Sequence, residues 1–261
     1  MKRTLVTPNL KDFPDTFRGI LQNSPIYDSS CSALARVWFI DREGGYYLKR
    51  SPKGTLAREA EMTRYFHDKG LAAPVLDYLS DTEDWLLTAR VAGEDCTNGA
   101  YLAEPQRLCD LLATLLRELH ETAHADCPCG DRIGEYLATV AENYENGLFD
   151  PAYLPSRLRK MTAEEAFALV RERGHLLRRD VLLHGDYCLP NIMLDGWRFS
   201  GFIDLDHAGV GDRHIDLFWG VWTMEFNLKT DRYAERFLDA YGRDAVDASL
   251  LELIGAAEAF G

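Results

Sequence analysis

The segment Leu182–Asp212, LLHGDYCLPNIMLDGWRFSGFIDLDHAGVGD, sets Asp186, Asn191 and Asp204 around short apolar runs that read as a buried hairpin. Carboxylates among apolar strands are costly unless a proton, a partner or a metal compensates them. A chain with this segment is therefore restricted to folds in which its strand ends meet a polar site.

The spacing has a mechanical reading. His184, Asp186 and Asn191 form H-x-D-x-x-x-x-N, and Asp204 follows thirteen residues after Asn191. One loop carries an aspartate close to an attacking hydroxyl. An asparagine five residues on supplies a neutral oxygen, and a strand turn delivers a second carboxylate. Hard oxygen ligands of this kind suit Mg2+, which keeps several waters and bridges substrate phosphates. That division of labour serves phosphoryl transfer: Asp186 as base, Asn191 and Asp204 on the metal. His-Gly-Asp alone would read as a turn; the full set between two apolar strands favours the catalytic reading.

Phosphoryl transfer of this type needs a lysine for the nucleotide. YYLK ends at Lys49 on the second strand of a hairpin, and Glu59 on the following helix can pair with it. Glu61 is two residues on and faces elsewhere on that helix. Ser29, Ser30 and Ser32, in the loop before the hairpin, can offer hydroxyl and backbone donors to phosphates, or form only a polar turn. The loop holds no glycine, so it is not a G-x-G-x-x-G loop, and SPKGTLARE at 51–59 fails the Walker pattern.

Periodicity frames these residues. RVWFI and YYLKR flank a Gly-Gly turn and predict a hairpin. TLAREAEMTRYFHDKG predicts a helix with Thr55 as N-cap and Gly70 as stop. PVLDYLSDTEDWLLTARV predicts a second hairpin turning at Asp81–Asp84. Leu108, Leu111, Leu112, Leu115, Leu116 and Leu119 then fall on one face of a long helix. Helical patterns return near 132–146, 162–173, 213–225, 231–241 and 247–259. The expected fold is α+β and bilobal: a small β-rich nucleotide-binding lobe over 1–90, a link near 89–94, and a larger, mainly helical lobe over 91–261. The cleft between lobes is the expected ligand site.

Composition sets the limits. The 261 residues hold 42 acidic against 29 basic side chains, a net charge of −13. No basic surplus is present to neutralise a nucleic-acid backbone, whereas a cationic substrate is permitted. No apolar run reaches membrane-spanning length, and the N-terminus lacks the apolar region of a signal peptide, so a cytoplasmic location is expected. The six cysteines read as ordinary thiols rather than a disulfide framework or zinc site.

HGDYCLPNIM, RFSGFIDL and the YLK…REAE pair together resemble the aminoglycoside 3'-phosphotransferases, a bacterial resistance branch of the protein-kinase-like fold. LRELHETAHADCP, RFLDAYG and AAEAFG extend the resemblance over most of the chain. It implies ATP- and Mg2+-dependent phosphorylation of an amino-sugar hydroxyl, the 3'-hydroxyl, by a monomer or weak dimer. Asp186 would orient that hydroxyl and take its proton. Asn191 and Asp204 would hold Mg2+, and Lys49, fixed by Glu59, would contact the phosphates. The link at Thr88, Ala89 and Val91 would bind adenine through its backbone. Asp231, Glu258 and Phe260 would meet the substrate, and Asp216 would hold the catalytic loop.

The chain departs from this pattern at Asp206 and His207, where the family often has Gly-Arg, and in the basic stretch Arg157, Arg159 and Lys160. The stretch motivates an alternative in which the acceptor is another small hydroxylated compound: a sugar, a choline-like alcohol or a macrolide. A nucleotide-binding pseudokinase is the remaining alternative.

Overall fold

The structure, a computed structural model, describes residues 3–31, 35–154 and 158–261. Ser32 and Arg157, singled out above, lie outside the described residues. Contacts divide the chain into two units, 1–96 with 190–206, and 97–189 with 207–261.

The first unit is built on an antiparallel sheet of six strands: β1 (Thr4–Val6), β2 (Ile26–Asp28), β3 (Arg36–Ile40), β4 (Tyr46–Pro52), β5 (Val75–Ser80) and β6 (Glu83–Ala89). Their order is β1-β2-β3-β4-β6-β5. Both predicted hairpins are present, but the second turns at Asp81 and Thr82 alone, with Glu83 and Asp84 already in β6. One face is closed by α1 (Asp15–Leu21). Phe13 meets Trp38 edge-on at 4.9 Å, and Trp38 stacks on Trp85 at 6.0 Å. Each fully buried aromatic or aliphatic side chain here contributes about 2 kcal/mol by leaving water.

Strand alternation then sorts β4. Leu48 enters this core with no exposed surface, so Lys49 and Tyr47 point to the opposite face. Across that face runs α2 (Ala57–Asp68). The expected Thr55 N-cap is not made: its hydroxyl donates to Pro52 O at 2.7 Å. The helix entrance is held instead by Asp84, whose buried carboxylate accepts the Leu56 N–H at 2.9 Å. A long-range partner replaces the local one because the β5–β6 hairpin brings a carboxylate to the helix start. Gly70 ends the helix as expected, at φ 74°.

A second, three-stranded sheet orders β10-β9-β7: β7 (Glu94–Asp95), β9 (Ile192–Asp195) and β10 (Arg198–Phe202). Glu94 pairs with Leu194 and Asp95 with Met193. This pairing groups the hairpin of 190–206 with the N-terminal strands, whereas sequence order alone leaves it among the helices.

The second unit holds α3 (Gly99–Leu102), α4 (Pro105–His120), α5 (Arg132–Glu145), α6 (Ala163–Arg173), α7 (His214–Leu228), α8 (Ala234–Gly242) and α9 (Ala248–Glu258). The leucine face of α4 packs on α8, and α9 packs on α6 and α7. A short ladder joins β8 (Val181–Leu183) to β11 (Gly209–Gly211). Among the described residues no helix is long and apolar enough to cross a membrane, and all six cysteines are free thiols.

Candidate active site

A cavity of about 390 Å³ lies in the N-terminal unit. Lys49, Glu59, Thr88, Ala89, Val91, Asn191 and Asp204 all line it. At its polar end the Lys49 ammonium donates to Glu59 Oε2 at 2.7 Å and to Asp204 Oδ1 at 3.0 Å. Burial works against the lysine's charge, but the two carboxylates outweigh it and hold the ammonium protonated well above its ordinary range. Burial also pushes Glu59 up, to about 7; Lys49 pulls it down and the Asp204 charge adds to the rise.

Asp204 sits in the left-handed region at φ 61°, a conformation that costs about 1 kcal/mol outside glycine. Half of its side chain is exposed, while Asn191 is buried. The Ile203 N–H donates to Asn191 O at 3.0 Å, which ties the two stretches of backbone together. An amide side chain and a solvated carboxylate lining one cavity fit Mg2+, which retains much of its water when bound.

The serine loop divides differently from expectation. The Ser30 hydroxyl oxygen accepts the Val37 N–H at 3.0 Å, and Ser29 and Cys31, not Ser30, line the cavity. Tyr47 lines it as well, a residue the motif reading passed over. The signal was available: two residues before Lys49 on a strand means the same face.

Asp186 belongs to the helical unit, on the loop after β8. The loop's shape comes from Asp216, which is wholly buried near the start of α7. Its carboxylate accepts the His184 and Gly185 N–H groups, each at 2.8 Å, and faces His120 Nε2 at 3.2 Å. His120 Nδ1 in turn lies 2.7 Å from the Tyr241 hydroxyl, and burial pushes the imidazole toward its neutral form. Gly185 is required: at φ 84°, an added Cβ would stand 2.0 Å from His207 O. The expected loop-holding role of Asp216 is thus visible as hydrogen bonds.

Asp206 and His207 each find a partner inside their own unit. Arg58 Nε lies 3.5 Å from Asp206 Oδ1, and Arg132 Nε donates to His207 O at 3.1 Å. The three expected substrate residues do not share one surface. Asp231 is exposed and lines a cavity of about 1300 Å³ in the helical unit, as does Arg159. Glu258 is buried and accepts the Tyr136 hydroxyl at 3.0 Å; burial first, then the Asp186 charge, pushes it up to about 8. Phe260 packs in the core against Phe149 at 5.3 Å.

A sheet-borne lysine paired to a helix glutamate, and an HGD loop clasped by a buried aspartate, are arrangements also found in kinase-like phosphotransferases. Residues 30–253 match the model of the phosphotransferase enzyme family. A probable aminoglycoside 3'-phosphotransferase of Lactococcus lactis subsp. lactis (strain IL1403) is 50% identical over 256 residues, 97% of each chain. The solved structure of a type VIII aminoglycoside-3'-phosphotransferase superposes with a TM-score of 0.72 at 24% identity, covering 99% of this chain and 94% of that one. A Streptomyces rimosus aminoglycoside phosphotransferase, solved with ADP and streptomycin, gives 0.69 at 23%, covering 86% and 90%. Both structural likenesses carry the fold. The chain belongs to the phosphotransferase enzyme family, in its aminoglycoside 3'-phosphotransferase group.

Proposed function

We propose that the protein moves the γ-phosphoryl group of ATP to the 3'-hydroxyl of an aminoglycoside and so gives resistance to it. The observation that carries the phosphoryl-transfer half is the Lys49 ammonium clasped by Glu59 and Asp204 in a cavity that Asn191 also lines. The acceptor half is supported by the name of the Lactococcus relative and by the streptomycin in the Streptomyces rimosus structure.

In this reading Lys49 binds the nucleotide phosphates, and Glu59 keeps its ammonium aimed at them. Thr88, Ala89 and Val91 border the base, and Ser30 shapes the loop that carries Ser29 toward the phosphates. Asn191 and Asp204 would hold Mg2+, which supplies charge neutralisation for the phosphates when bound. Asp186 orients the acceptor hydroxyl and takes its proton as the oxygen attacks, and the Asp216 clasp fixes the loop from which it does so. Catalysis is then mostly positioning and charge stabilisation. Asp231 meets an ammonium group of the acceptor. Glu258 and Phe260 act from behind the surface, through the packing that supports it.

The test is growth of a susceptible bacterium expressing the chain across an aminoglycoside panel, with ATP turnover measured on the purified protein. Protection against compounds that carry a 3'-hydroxyl, none against those lacking it, and loss of both readouts in Asp186→Ala are expected. A second acceptor class is favoured by one observation: Arg159 lines the helical cavity and would repel a polycation. Turnover with neutral sugars or macrolides, and none with any aminoglycoside, would replace the first reading by the second.

A further inference from the structure

The helical cavity carries an aromatic face that none of the assigned roles uses. Trp222 and Phe226 are four residues apart on α7, hence on one side of the helix. Their rings stack at 4.9 Å with an interplanar angle of 9°. Tyr153 extends the stack, 5.6 Å from Trp222. Phe226 is 54% exposed, high for a phenylalanine, and all three residues line the cavity.

Charge on the rim is uneven, with Arg159, Lys229 and Arg243 as its cations and Asp150, Glu225, Asp231 and Glu235 as its carboxylates. Arg243 is ion-paired to Glu235 at 2.8 Å and to Asp239 at 2.7 Å. Among the described residues, neither Glu225 nor Asp231 has an ion pair, and both line the same cavity as the stack. Lys229 supplies an independent clue: its Nζ rests 4.1 Å above the Phe226 ring. The chain thus already places an ammonium on this aromatic face, which is what the ring quadrupole favours. The face also connects to Asp186 within the unit. The Asp186 charge acts on Glu258, the Trp219 side chain hydrogen-bonds to Glu258, and Trp219 meets Trp222 edge-on at 5.3 Å.

We infer that Trp222 and Phe226 are specificity-determining residues: they form a platform for an amino-sugar ring of the acceptor remote from the phosphorylated hydroxyl, with Glu225 and Asp231 taking that ring's ammonium groups. The platform rests on the proposed acceptor class. It takes the apolar face of a sugar ring by stacking and a cationic substituent by cation–π attraction, with Lys229 displaced toward solvent. A neutral apolar ligand would leave Glu225 and Asp231 unanswered, and a single-ring aminocyclitol lacks the remote ring that the platform takes.

Isothermal titration of kanamycin, a three-ring aminoglycoside, into the full-length protein tests this, with 2-deoxystreptamine as the single-ring control and ATP binding as the check on folding. Phe226→Ala and Trp222→Leu should each weaken kanamycin about tenfold and leave ATP and 2-deoxystreptamine affinities unchanged. Glu225→Gln with Asp231→Asn should add a further loss. Because Phe226 is exposed, its variant keeps the fold intact even if the Trp222 variant does not. Equal kanamycin affinity in wild type and Phe226→Ala overturns the platform, as does absence of kanamycin binding to the wild type. Turnover measured in parallel separates the two ideas. Aromatic-dependent binding without phosphorylation defeats the proposed function alone, and phosphorylation with aromatic-independent affinity defeats the platform alone.

Discussion

In the N-terminal cavity the central cation has its partners supplied from within the unit: Lys49 lies 2.7 Å from Glu59 and 3.0 Å from Asp204. In the helical cavity, Glu225 and Asp231 have no ion pair among the described residues and share the cavity with a partly exposed aromatic stack, part of which the chain's own Lys229 covers. The first region is preorganised around fixed charges, at the cost of a left-handed Asp204 and a buried glutamate near neutrality. The second also holds a left-handed residue, Lys229 at φ 57°, but its carboxylates are open to ligand charge. On the proposed function this difference is sensible. A triphosphate has one geometry that chemistry must meet each turnover, whereas acceptor recognition can be distributed over soft contacts.

The comparison can be broken first at the reacting loop. Asp186→Ala should lower kcat by about 10³-fold, within the range for loss of a general base, and leave ATP affinity unchanged; steady-state kinetics with calorimetry reads both. Next, Lys49→Met should lower kcat/KM for ATP by about 100-fold, because a preorganised charge is lost, while kcat/KM for the acceptor at saturating ATP falls less than the ATP value. An equal drop in both would show that the N-terminal charges are not dedicated to the nucleotide.

A smaller effect belongs to the clasp. Asp216→Asn leaves one of the His184 and Gly185 N–H groups facing an amide nitrogen. Thermal unfolding should show a loss of about 2 kcal/mol, together with reduced turnover at unchanged ATP affinity.

The smallest is a pH effect. Glu258 is pushed up to about 8 from an ordinary 4.5, so the folded state prefers its neutral form. Its contribution is therefore full below about 4.5 and is lost as pH rises through about 8. Glu59, raised to about 7, acts in the same direction over a narrower window. Glu258→Gln should remove part of the fall in Tm between pH 5 and 9 without abolishing it. An unchanged slope would mean that Glu258 reaches solvent.

Much of this was legible from local pattern. Period-two alternation located the β3–β4 hairpin and with it Lys49, and the leucine spacing located α4 within three residues of its start. The HGD-to-Asp204 spacing singled out Asn191 and Asp204, which line one cavity. What local pattern missed was partnership at long range. Thr55 was the local candidate for the α2 entrance, yet Asp84, distant in sequence, holds it. Ser30 looked like a phosphate donor, yet its hydroxyl is committed to Val37. Asp231, Glu258 and Phe260 read alike as substrate residues, but Asp231 lines a cavity whereas Glu258 and Phe260 are buried.

By itself the sequence determined the kind of chemistry and the fold class, because residue type, spacing and periodicity are local properties that survive without coordinates. The tertiary structure decided which charges are answered and which are not. Lys49 is held by carboxylates from a helix and a hairpin 10 and 155 residues away, Asp216 is consumed by its own loop, and Glu225 and Asp231 are left beside an aromatic face. Whether a charge is available to a ligand depends on its neighbours in space, and those are set only when the chain has folded.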